Sequence, residues 1–464
     1  MKFNVSNKGI NKVTNYEGAP AYKMSNEMHL YSAVVTAALS NKYYESAEER
    51  LETLRLLIAK CDPEFTARLA VYARENMNLR SVPLVLAVEL AKVHSGDSLV
   101  SRLTERVVQR ADEITEILAY YQAANKRDGI KKLKGISKQI QKGLQGSFNK
   151  FDEYQFAKYN RDTEIKLRDA LFIVHPKAKN DAQQSVFNKI TENKLSVPYT
   201  WETELSALGQ QKFGSLEERK HAFRIKWEEL INSGKLGYMA LMRNMRNILE
   251  AGVTWENLRI VCKTLSSEQA VLRSKQFPFR FLAAYRELSK INSGHAAMLM
   301  EALEDAVTVS ARNIAGFDEK TSVLVACDVS VSMQTPISPK SAIKAYDIGL
   351  MLGMLLKSRC ANVISGIFGD KWKIVNLPGK NILNNVDAFY KRANEVGYAT
   401  NGYLVIKSLI DNNTKVDKIM MFTDCQMWNN KGKETIQETG TSIKKYHPIQ
   451  NCICSTWQVM GNRR

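Results

Sequence analysis

The stretch SVLVACDVSVSM (residues 322–333) decides how the C-terminal part of this chain folds. Its first six residues form a short apolar run rich in β-branched side chains, which predicts a buried strand. Residues 362–368 and 418–423 have the same character, and residues 373–375 are a candidate edge strand. Helices are expected between and after these strands, at residues 341–358, 383–395 and 432–445. Buried strands that alternate with helices are typical of a doubly wound parallel sheet. We therefore predict an α/β, Rossmann-like domain over residues 316–464.

The last sixteen residues depart from this pattern. Residues 449–464 place polar side chains where a core strand would be apolar, and a closing helix is not evident after them. We therefore expect the domain to be incomplete at its C-terminal end.

A set of oxygen donors follows the predicted strands. In the run D-V-S-V-S, the spacing by two directs Asp328, Ser330 and Ser332 into one loop at the end of the first strand. Thr400 precedes a predicted helix, and Asp424 ends the apolar run KIMMFTD. Ligands of open α/β sheets bind at the carboxyl ends of the strands, so these five side chains are expected to meet. Hard oxygen donors suit Mg²⁺, with Mn²⁺ or Ca²⁺ as alternatives. The competing interpretation is an Asp/Ser-rich turn that caps the next helix.

Helical periodicity dominates the region before this domain, from residue 28 to about residue 310. Asp62-Pro63 predicts a capped helix start, Pro83 predicts another, and Ser98 is expected to cap one helix over residues 99–121. Short amphipathic helices must stack on their neighbours, so we predict an α-helical, HEAT-like repeat domain over residues 26–315. A single globular helical domain is the alternative. The polar residues 1–25 predict an extended N-terminal arm.

The composition indicates a basic, intracellular protein. Its 66 Lys+Arg and 48 Asp+Glu leave a formal net charge of +18, spread over the whole chain. Such a surplus attracts polyanions, nucleic acid above all, although a generally basic soluble protein is the simpler alternative. The seven cysteines are odd in number and scattered, which favours a reducing, cytoplasmic location. No run approaches the ~20 apolar residues that a bilayer span requires, and no apolar signal segment begins the chain.

Two parts of the chain, the set of oxygen donors and the helical region, each resemble a known family. The arrangement of Asp328, Ser330, Ser332, Thr400 and Asp424 resembles the metal-ion-dependent adhesion site of von Willebrand factor A domains. The helical region resembles the TROVE module of Ro-type RNA-binding proteins. This second resemblance is carried by AVYAREN (70–76), GSFNKFDEYQFAKY (146–159), LRDALFIVHPK (167–177), YTWETELSALG (199–209), GYMALMRNMRNILEAGV (237–253) and QFPFRFLAAY (276–285).

The resemblance to Ro-type proteins implies a monomeric ring of helical repeats. In that family the positive cavity of the ring admits single-stranded ends of misfolded RNA, and small structured Y RNAs lie on the outer basic face. The expected partners are therefore small non-coding RNA and misfolded RNA, with an exoribonuclease as a further protein partner. The expected roles are RNA quality control or the scaffolding of RNA onto a nuclease. The A domain would bind its ion together with an acidic group of a partner, without catalysis.

The residues themselves support RNA contact. KRDGIKKLKGISKQIQK (126–142) carries six lysines and one arginine, several of them at the three- or four-residue spacing of one helix face. Phe148, Phe151, Tyr154 and Tyr159 follow among further cations, and aromatic rings between cations suit single-stranded RNA. The alternatives are a solvated lysine face and aromatic core residues. The candidate RNA-binding residues are Lys131, Lys134, Lys138, Lys142, Lys158, Arg168, His175, Lys177, Arg243 and Arg246, of which His175 matches an RNA-contacting position of the family.

No catalytic arrangement is recognisable. The six histidines are scattered, and Walker loops, G-x-S-x-G elbows and paired carboxylates in a known context are lacking. The sequence therefore predicts a non-enzymatic RNA-binding protein with a divalent-cation site. The alternative is a metal-dependent protein–protein interaction scaffold without RNA binding.

Overall fold

The computed structural model of the chain describes residues 12–14, 20–22, 24–36, 47–125, 135–314, 316–337, 341–424 and 451–455. The described residues are mostly helical, and a small mixed sheet forms toward the C-terminal end. Contacts divide the chain into two compact units after Thr203. We call the unit that begins at Met24 the helical unit and the unit that begins at Glu204 the mixed unit. Within the described part of the chain, no helix has the length and apolar composition needed to cross a membrane.

Short strands and helices make up the N-terminal half. The predicted N-terminal arm contains two strands, β1 (Lys12–Thr14) and β2 (Pro20–Tyr22), which pair with each other in antiparallel orientation. The helices that follow are α1 (Asn26–Thr36), α2 (Ala47–Ile58), α3 (Pro63–Glu75), α4 (Ser81–Val93), α5 (Leu99–Val107), α6 (Asp112–Ala124), α7 (Lys138–Phe148), α8 (Glu153–Tyr159), α9 (Leu167–Val174) and α10 (Asp181–Thr191).

The helices of the helical unit pack in series. Helix α3 contacts α4 and α5, α4 also contacts α6, and α5 contacts α7. Their apolar faces form one continuous core in which Leu86, Ile114 and Phe148 are fully buried. Serial packing of this kind is what stacked amphipathic helices require. Closure of such helices into a ring stays a prediction.

The predicted helix starts agree with the structure in part. The Asp62 carboxylate accepts a hydrogen bond from the Phe65 N–H at 2.8 Å, and Pro63 is the first residue of α3, which confirms that start. Helix α4 begins at Ser81 rather than at Pro83. The proline still lies in the first turn, where its missing N–H breaks no intrahelical hydrogen bond.

The single helix predicted over residues 99–121 is wrong, because the chain interrupts it between α5 and α6. Arg74 Nε donates to the Val107 carbonyl at 2.9 Å, and the Glu113 carboxylate accepts the N–H groups of Gln109 and Arg110 at 2.8 and 3.0 Å. A continuous helix would pair these backbone groups internally. The buried Arg74–Glu113 ion pair, at 2.7 Å, therefore holds the chain in the interrupted conformation.

Ser98 was also expected to cap α5, and its side chain makes no capping hydrogen bond. The Asp97 carboxylate accepts the Leu99 N–H at 2.8 Å instead.

The remaining helices before the sheet are α11 (Trp201–Gly209), α12 (Leu216–Asn232), α13 (Tyr238–Glu250), α14 (Trp255–Ser266), α15 (Glu268–Ser274), α16 (Pro278–Leu288) and α17 (Gly294–Ser310). The elements after them are β3 (Ser322–Asp328), α18 (Ala345–Arg359), β4 (Asn362–Phe368), β5 (Trp372–Ile374), α19 (Ile382–Tyr390), α20 (Tyr403–Asp411), β6 (Lys418–Phe422) and β7 (Asn451–Ser455).

The sheet has the strand order β5-β4-β3-β6-β7. Strand β3 pairs in parallel with β4 and β6, and β5 lies antiparallel at one edge. The predicted strands are therefore found, and the sheet is mixed rather than wholly parallel. Strand β7 pairs in parallel with β6, so a segment that was judged too polar for a strand joins the sheet. The helix predicted over residues 432–445 lies outside the described residues.

Charged contacts attach the last helices to the sheet region. Arg286 on α16 donates through both terminal nitrogens to the Asp347 carboxylate on α18, at 2.8 Å each, and also binds Asp387 on α19. Glu304 on α17 accepts the backbone N–H of Leu383, at the start of α19, at 3.0 Å. These contacts join α16 and α17 to the sheet region, so the mixed unit contains helices as well as the sheet. The change from helices to strands nevertheless occurs near the expected domain boundary at 315/316. The expected domain limits themselves stay predictions.

Arg286→Ala should destabilise the mixed unit. The change leaves the fully buried Asp347 carboxylate without its guanidinium, and the loss of one partner of a buried ion pair costs about 3–5 kcal/mol. Urea denaturation followed by circular dichroism measures the effect. Lys290→Ala, which removes an exposed pair with Glu287, is the matched control and should cost less than about 1 kcal/mol. Equal midpoints for the two variants would contradict the assigned role of Arg286.

Candidate metal site and nucleic-acid interface

The carboxyl ends of the central strands carry the predicted oxygen donors. Asp328 is the last residue of β3 and is fully buried, and Ser330 and Ser332 follow it in a buried turn. The Ser330 N–H donates to one Asp328 oxygen at 2.8 Å, and the hydroxyl oxygens of Ser330 and Ser332 are 3.3 Å apart. The structure therefore brings the three residues of the first loop together.

The other two predicted donors lie at the same edge of the sheet. Asp424 follows β6, the strand that pairs with β3, and its charge acts on Asp328. The loop of Thr400 is tied to the end of β4, because the Asn401 N–H donates to the Gly369 carbonyl at 3.0 Å. Strand β4 pairs with β3 up to Asp328 itself. Thr400 is buried, and Asp424 is half-buried.

A residue that the sequence analysis missed completes this arrangement. Thr423 Oγ1 donates to the second Asp328 oxygen at 2.6 Å and is itself buried. Thr423 lies directly before Asp424 at the end of an apolar strand, and this position could have identified it as a further oxygen donor from the sequence.

The donor set fits a hard divalent cation. Burial raises the pKa of Asp328 to about 7, Ser330 and Thr423 oppose that rise, and the Asp424 carboxylate adds to it. The carboxylates of Asp328 and Asp424 and the hydroxyl oxygens of the three loops at this sheet edge are oxygen ligands of the kind that Mg²⁺ or Ca²⁺ prefers. Among the described residues, no cluster of three or more His, Cys, Asp or Glu side chains forms a site of another type.

The helical unit carries the second candidate site, which depends on the close approach of α5 and α7. A Cβ atom at Gly143 would lie 2.5 Å from the Ser101 carbonyl, and one at Gly146 would lie 2.5 Å from the Glu105 carboxyl carbon. Two glycines on one face of α7 therefore allow direct contact with α5. This contact brings the exposed Lys142 beside the first turn of α5.

A basic pocket of about 390 Å³ lies at this contact. Its charged side chains are Arg102, Lys142 and Lys177 against the single carboxylate of Glu105. The polar residues Ser98, Ser101, Gln145 and Asn149 complete the wall. An excess of cations in a concave polar site favours a phosphate group.

Helix α7 also holds the segment that follows α9. The Gln145 side-chain amide donates to the carbonyls of Val174 and His175, at 3.0 and 3.3 Å, and Asn149 donates to the Lys177 carbonyl at 2.9 Å. His175 has a left-handed backbone (φ 51°) at the end of α9, a conformation that favours Gly or Asn. The side chain of His175 is exposed at this helix end.

The structure distributes the predicted RNA-binding residues over both units. Lys131 and Lys134 lie outside the described residues. Lys138, Lys142, Lys158, Arg168, His175 and Lys177 belong to the helical unit, Arg243 and Arg246 belong to the mixed unit, and all eight side chains are exposed.

The described candidates differ in their contacts. Lys142, His175 and Lys177 lie at or beside the pocket. Arg246 instead lies within 3.5–3.6 Å of the carboxylates of Glu250 and Glu287. Sequence reasoning missed Arg102, because it precedes the lysine-rich stretch by more than twenty residues.

The aromatic residues expected to lie among the cations divide into two groups. Phe148 and Phe151 are buried in the core, whereas Tyr154 is exposed beside Lys158, whose Nζ lies 5.7 Å from the ring centroid. Arg110 lies over the Tyr159 ring at 4.3 Å. The phenylalanines are therefore structural, and the tyrosines lie near cations.

These features define a helical protein with an attached α/β region. The TROVE domain family profile matches residues 24–193 and 189–312, which is more than half of the chain. The chain therefore belongs to the TROVE domain family. The resemblance to Ro-type TROVE proteins that the sequence predicts is confirmed. Proteins of the TROVE and Ro family are RNA-binding components of ribonucleoproteins.

Relatives and a solved structure agree with this assignment. Telomerase protein component 1 of the mouse, Mus musculus, is 25% identical over 350 residues, which cover 58% of this chain and 13% of that protein. The rat protein of the same name, from Rattus norvegicus, is 25% identical over 314 residues, or 51% of this chain and 11% of that protein. The chain thus matches only a small part of these relatives. The crystal structure of the Deinococcus radiodurans Ro (RSR) protein shares the fold with a TM-score of 0.65 and 16% identity, covering 95% of this chain and 94% of that chain.

Asp328→Asn should stabilise the metal-free protein at neutral pH. Because folding raises the pKa of Asp328 to about 7, the carboxylate costs stability as it ionises between about pH 4 and pH 7. In EDTA, the two proteins should therefore melt alike near pH 4. The variant should gain an advantage that grows up to about pH 7 and then levels off, on the order of a few kcal/mol. Thermal denaturation over a pH series measures the difference in stability between the two proteins. The same difference at every pH would contradict the raised pKa of Asp328.

Proposed function

We propose that this protein binds small non-coding RNA, of the Y RNA kind, and the single-stranded ends of misfolded RNA. Its role would be RNA quality control or the scaffolding of RNA onto a nuclease in the cytoplasm. In this proposal, the helices form a monomeric ring that admits single-stranded ends, as the resemblance to Ro-type proteins implies. An exoribonuclease is the protein partner that fits such a role.

The observation that carries the proposal is the basic pocket between α5, α7 and the segment after α9. Three cations face one carboxylate there, and two of them, Lys142 and Lys177, were predicted as RNA ligands from sequence. The pocket lies within the segment that matches the TROVE family. Lysine and arginine bind phosphates without regard to base, so this site would provide affinity rather than sequence specificity.

The exposed cations of α7, α8 and α9 extend the same function. Lys138, Lys158 and Arg168 would hold neighbouring phosphates of an RNA that lies along the helical unit. Arg243 and Arg246 would contribute a separate contact in the mixed unit. In this proposal, the side chain of His175 hydrogen-bonds to a phosphate or a base edge.

We further propose that Asp328, Ser330, Ser332, Thr400 and Asp424 hold one divalent cation, Mg²⁺ or else Mn²⁺ or Ca²⁺. The fully buried Asp328 carboxylate supports this, because the hydroxyl oxygens of Ser330 and Ser332 lie in the same loop and Asp424 follows the neighbouring strand, which gives oxygen donors of the kind that a hard divalent cation prefers. When bound, the ion would supply an open position for an acidic group of a partner protein.

Lys142→Glu with Lys177→Glu should weaken RNA binding by at least about tenfold at moderate salt, for all RNA sequences alike. The double variant removes two phosphate contacts. The slope of the logarithm of affinity against the logarithm of salt concentration should therefore become less negative by about 1.4, at about 0.7 per contact. Fluorescence anisotropy over a salt series measures the affinity and its salt dependence. The probe is a structured RNA, with and without a single-stranded 3′ tail.

Lys194→Glu is the matched control, because Lys194 is an exposed lysine of the same unit that pairs with Glu192 outside the pocket. This variant should bind RNA like the native protein. Binding that is unaffected by the pocket variants would place the RNA surface elsewhere. No binding to either RNA near physiological salt, together with EDTA-sensitive binding of an acidic protein partner, would favour the metal-dependent scaffold instead.

Mg²⁺ should stabilise the native protein and leave Asp328→Asn unchanged. A ligand at one hundred times its dissociation constant adds about 2.7 kcal/mol to the stability of the folded state, and EDTA should reverse the gain. Thermal denaturation with Mg²⁺, Mn²⁺ and Ca²⁺ measures the effect. Asp411→Asn removes an exposed carboxylate at the end of α20 and should keep the response to metal. RNA affinity should be the same in all three proteins, and a metal response in Asp328→Asn would exclude this site.

A further inference from the structure

Helix α9 and the residue directly after it present an exposed stripe made of Arg168, Phe172 and His175. Arg168 and Phe172, four positions apart, project from the same face of the helix, and His175 follows its last residue, Val174. The opposite face is buried through Leu167, Ala170 and Val174, where α9 contacts α6, α7 and α10. The stripe is therefore the free face of a helix that is firmly packed on its other side.

Phe172 is the unexpected member of this stripe. Its side chain is 50% exposed, although a phenylalanine gains stability mainly by burial. The guanidinium carbon of Arg168 lies 5.8 Å from the centroid of its ring, so a cation approaches the ring while much of the ring stays open to solvent. An accessible aromatic ring beside an arginine is the combination that binds unpaired nucleobases.

The stripe leads directly to the basic pocket. His175 follows Phe172 by three residues, about 4.5 Å of helical rise, and its carbonyl is bound by Gln145 in the pocket wall. Lys177, two residues further, lines the pocket itself. An aromatic ring and a basic pocket thus lie at the two ends of one short segment, which Gln145 and Asn149 hold through its carbonyl groups.

We propose that Phe172 is a stacking platform for one unpaired nucleobase, whose neighbouring backbone phosphate binds in the pocket of Arg102, Lys142 and Lys177. The proposal rests on the proposed function and specifies its ligand. The RNA recognised at this surface must present an unpaired nucleotide, such as a bulge or a single-stranded flank beside a stem. A continuous duplex does not satisfy the site, because its bases are stacked on one another and cannot reach the ring.

The test uses the full chain and a hairpin RNA that carries one unpaired 2-aminopurine beside its stem, compared with the same hairpin fully paired. Stacking on an aromatic ring quenches 2-aminopurine. The native protein should quench the probe, and Phe172→Ala should abolish quenching and weaken binding of this RNA by about tenfold. The same variant should bind the paired hairpin as the native protein does.

Conservative variants separate stacking from mere apolar contact. Phe172→Trp should keep both quenching and affinity, whereas Phe172→Leu, which keeps an apolar side chain without a ring, should behave like Phe172→Ala. Tyr72→Ala is the matched control, since Tyr72 is an aromatic residue of α3 that is 47% exposed, outside the stripe. It should leave both measurements unchanged.

The outcomes distinguish this inference from the function on which it rests. If Lys142→Glu weakens binding of the bulged RNA and Phe172→Ala does not, the stacking platform is overturned and the basic pocket stands. Full affinity in Phe172→Leu would also overturn it, because the side chain would then act as a general apolar contact. If neither substitution changes RNA affinity, the proposed RNA surface itself is wrong.

Discussion

The close packing of α7 against α5 determines where the cations of the helical unit meet. At Gly143 a Cβ atom would lie 2.5 Å from the Ser101 carbonyl oxygen and 2.6 Å from the Thr104 Cβ, so a side chain there would prevent this direct contact. From α7, the Gln141 side chain donates to the carbonyls of the last two residues of α9, and Gln145 and Asn149 donate to those of His175 and Lys177 in the segment after it. Lys142 and Lys177 consequently lie at one pocket although they are 35 positions apart in sequence. A larger residue at Gly143 would separate the helices and disperse these charges.

The two candidate sites have opposite electrostatic character. The pocket of the helical unit carries an excess of cations on exposed side chains, which suits a polyanion that arrives from solvent. The sheet edge instead buries the carboxylate of Asp328 near a second carboxylate, which repels phosphate and attracts a small cation. These opposite charges support the proposed division between an RNA surface and a metal site. The net charge of +18 gives long-range attraction for RNA but does not by itself locate the binding surface.

Local sequence signals predicted much of the fold. The strand that ends at Asp328, the Asp62-Pro63 helix start and the loop that brings Asp328, Ser330 and Ser332 together depend on neighbours in sequence, and the structure contains each of them. The break between α5 and α6 could not be predicted in this way, because it depends on Arg74, which lies more than thirty residues away. The strand β7 was missed for a related reason. Its pairing with β6 supplies backbone hydrogen bonds that its polar sequence does not reveal.

The candidate sites were predicted less completely than the fold. Lysines at helical spacing predicted Lys142, and the resemblance to Ro-type proteins predicted His175, but the pocket requires Arg102 from a helix outside the basic stretch. Aromatic composition did not distinguish the buried Phe148 from the exposed Phe172, since only tertiary packing decides which ring is covered.

Ultraviolet cross-linking of a bound, tailed hairpin RNA, followed by mass spectrometry of the cross-linked peptides, tests whether RNA binds at α7 and α9. We expect cross-links in the peptide that contains Phe172, His175 and Lys177 and in the peptide that contains Lys142. Cross-links confined to residues after Thr203, with none in α7 or α9, would contradict this expectation.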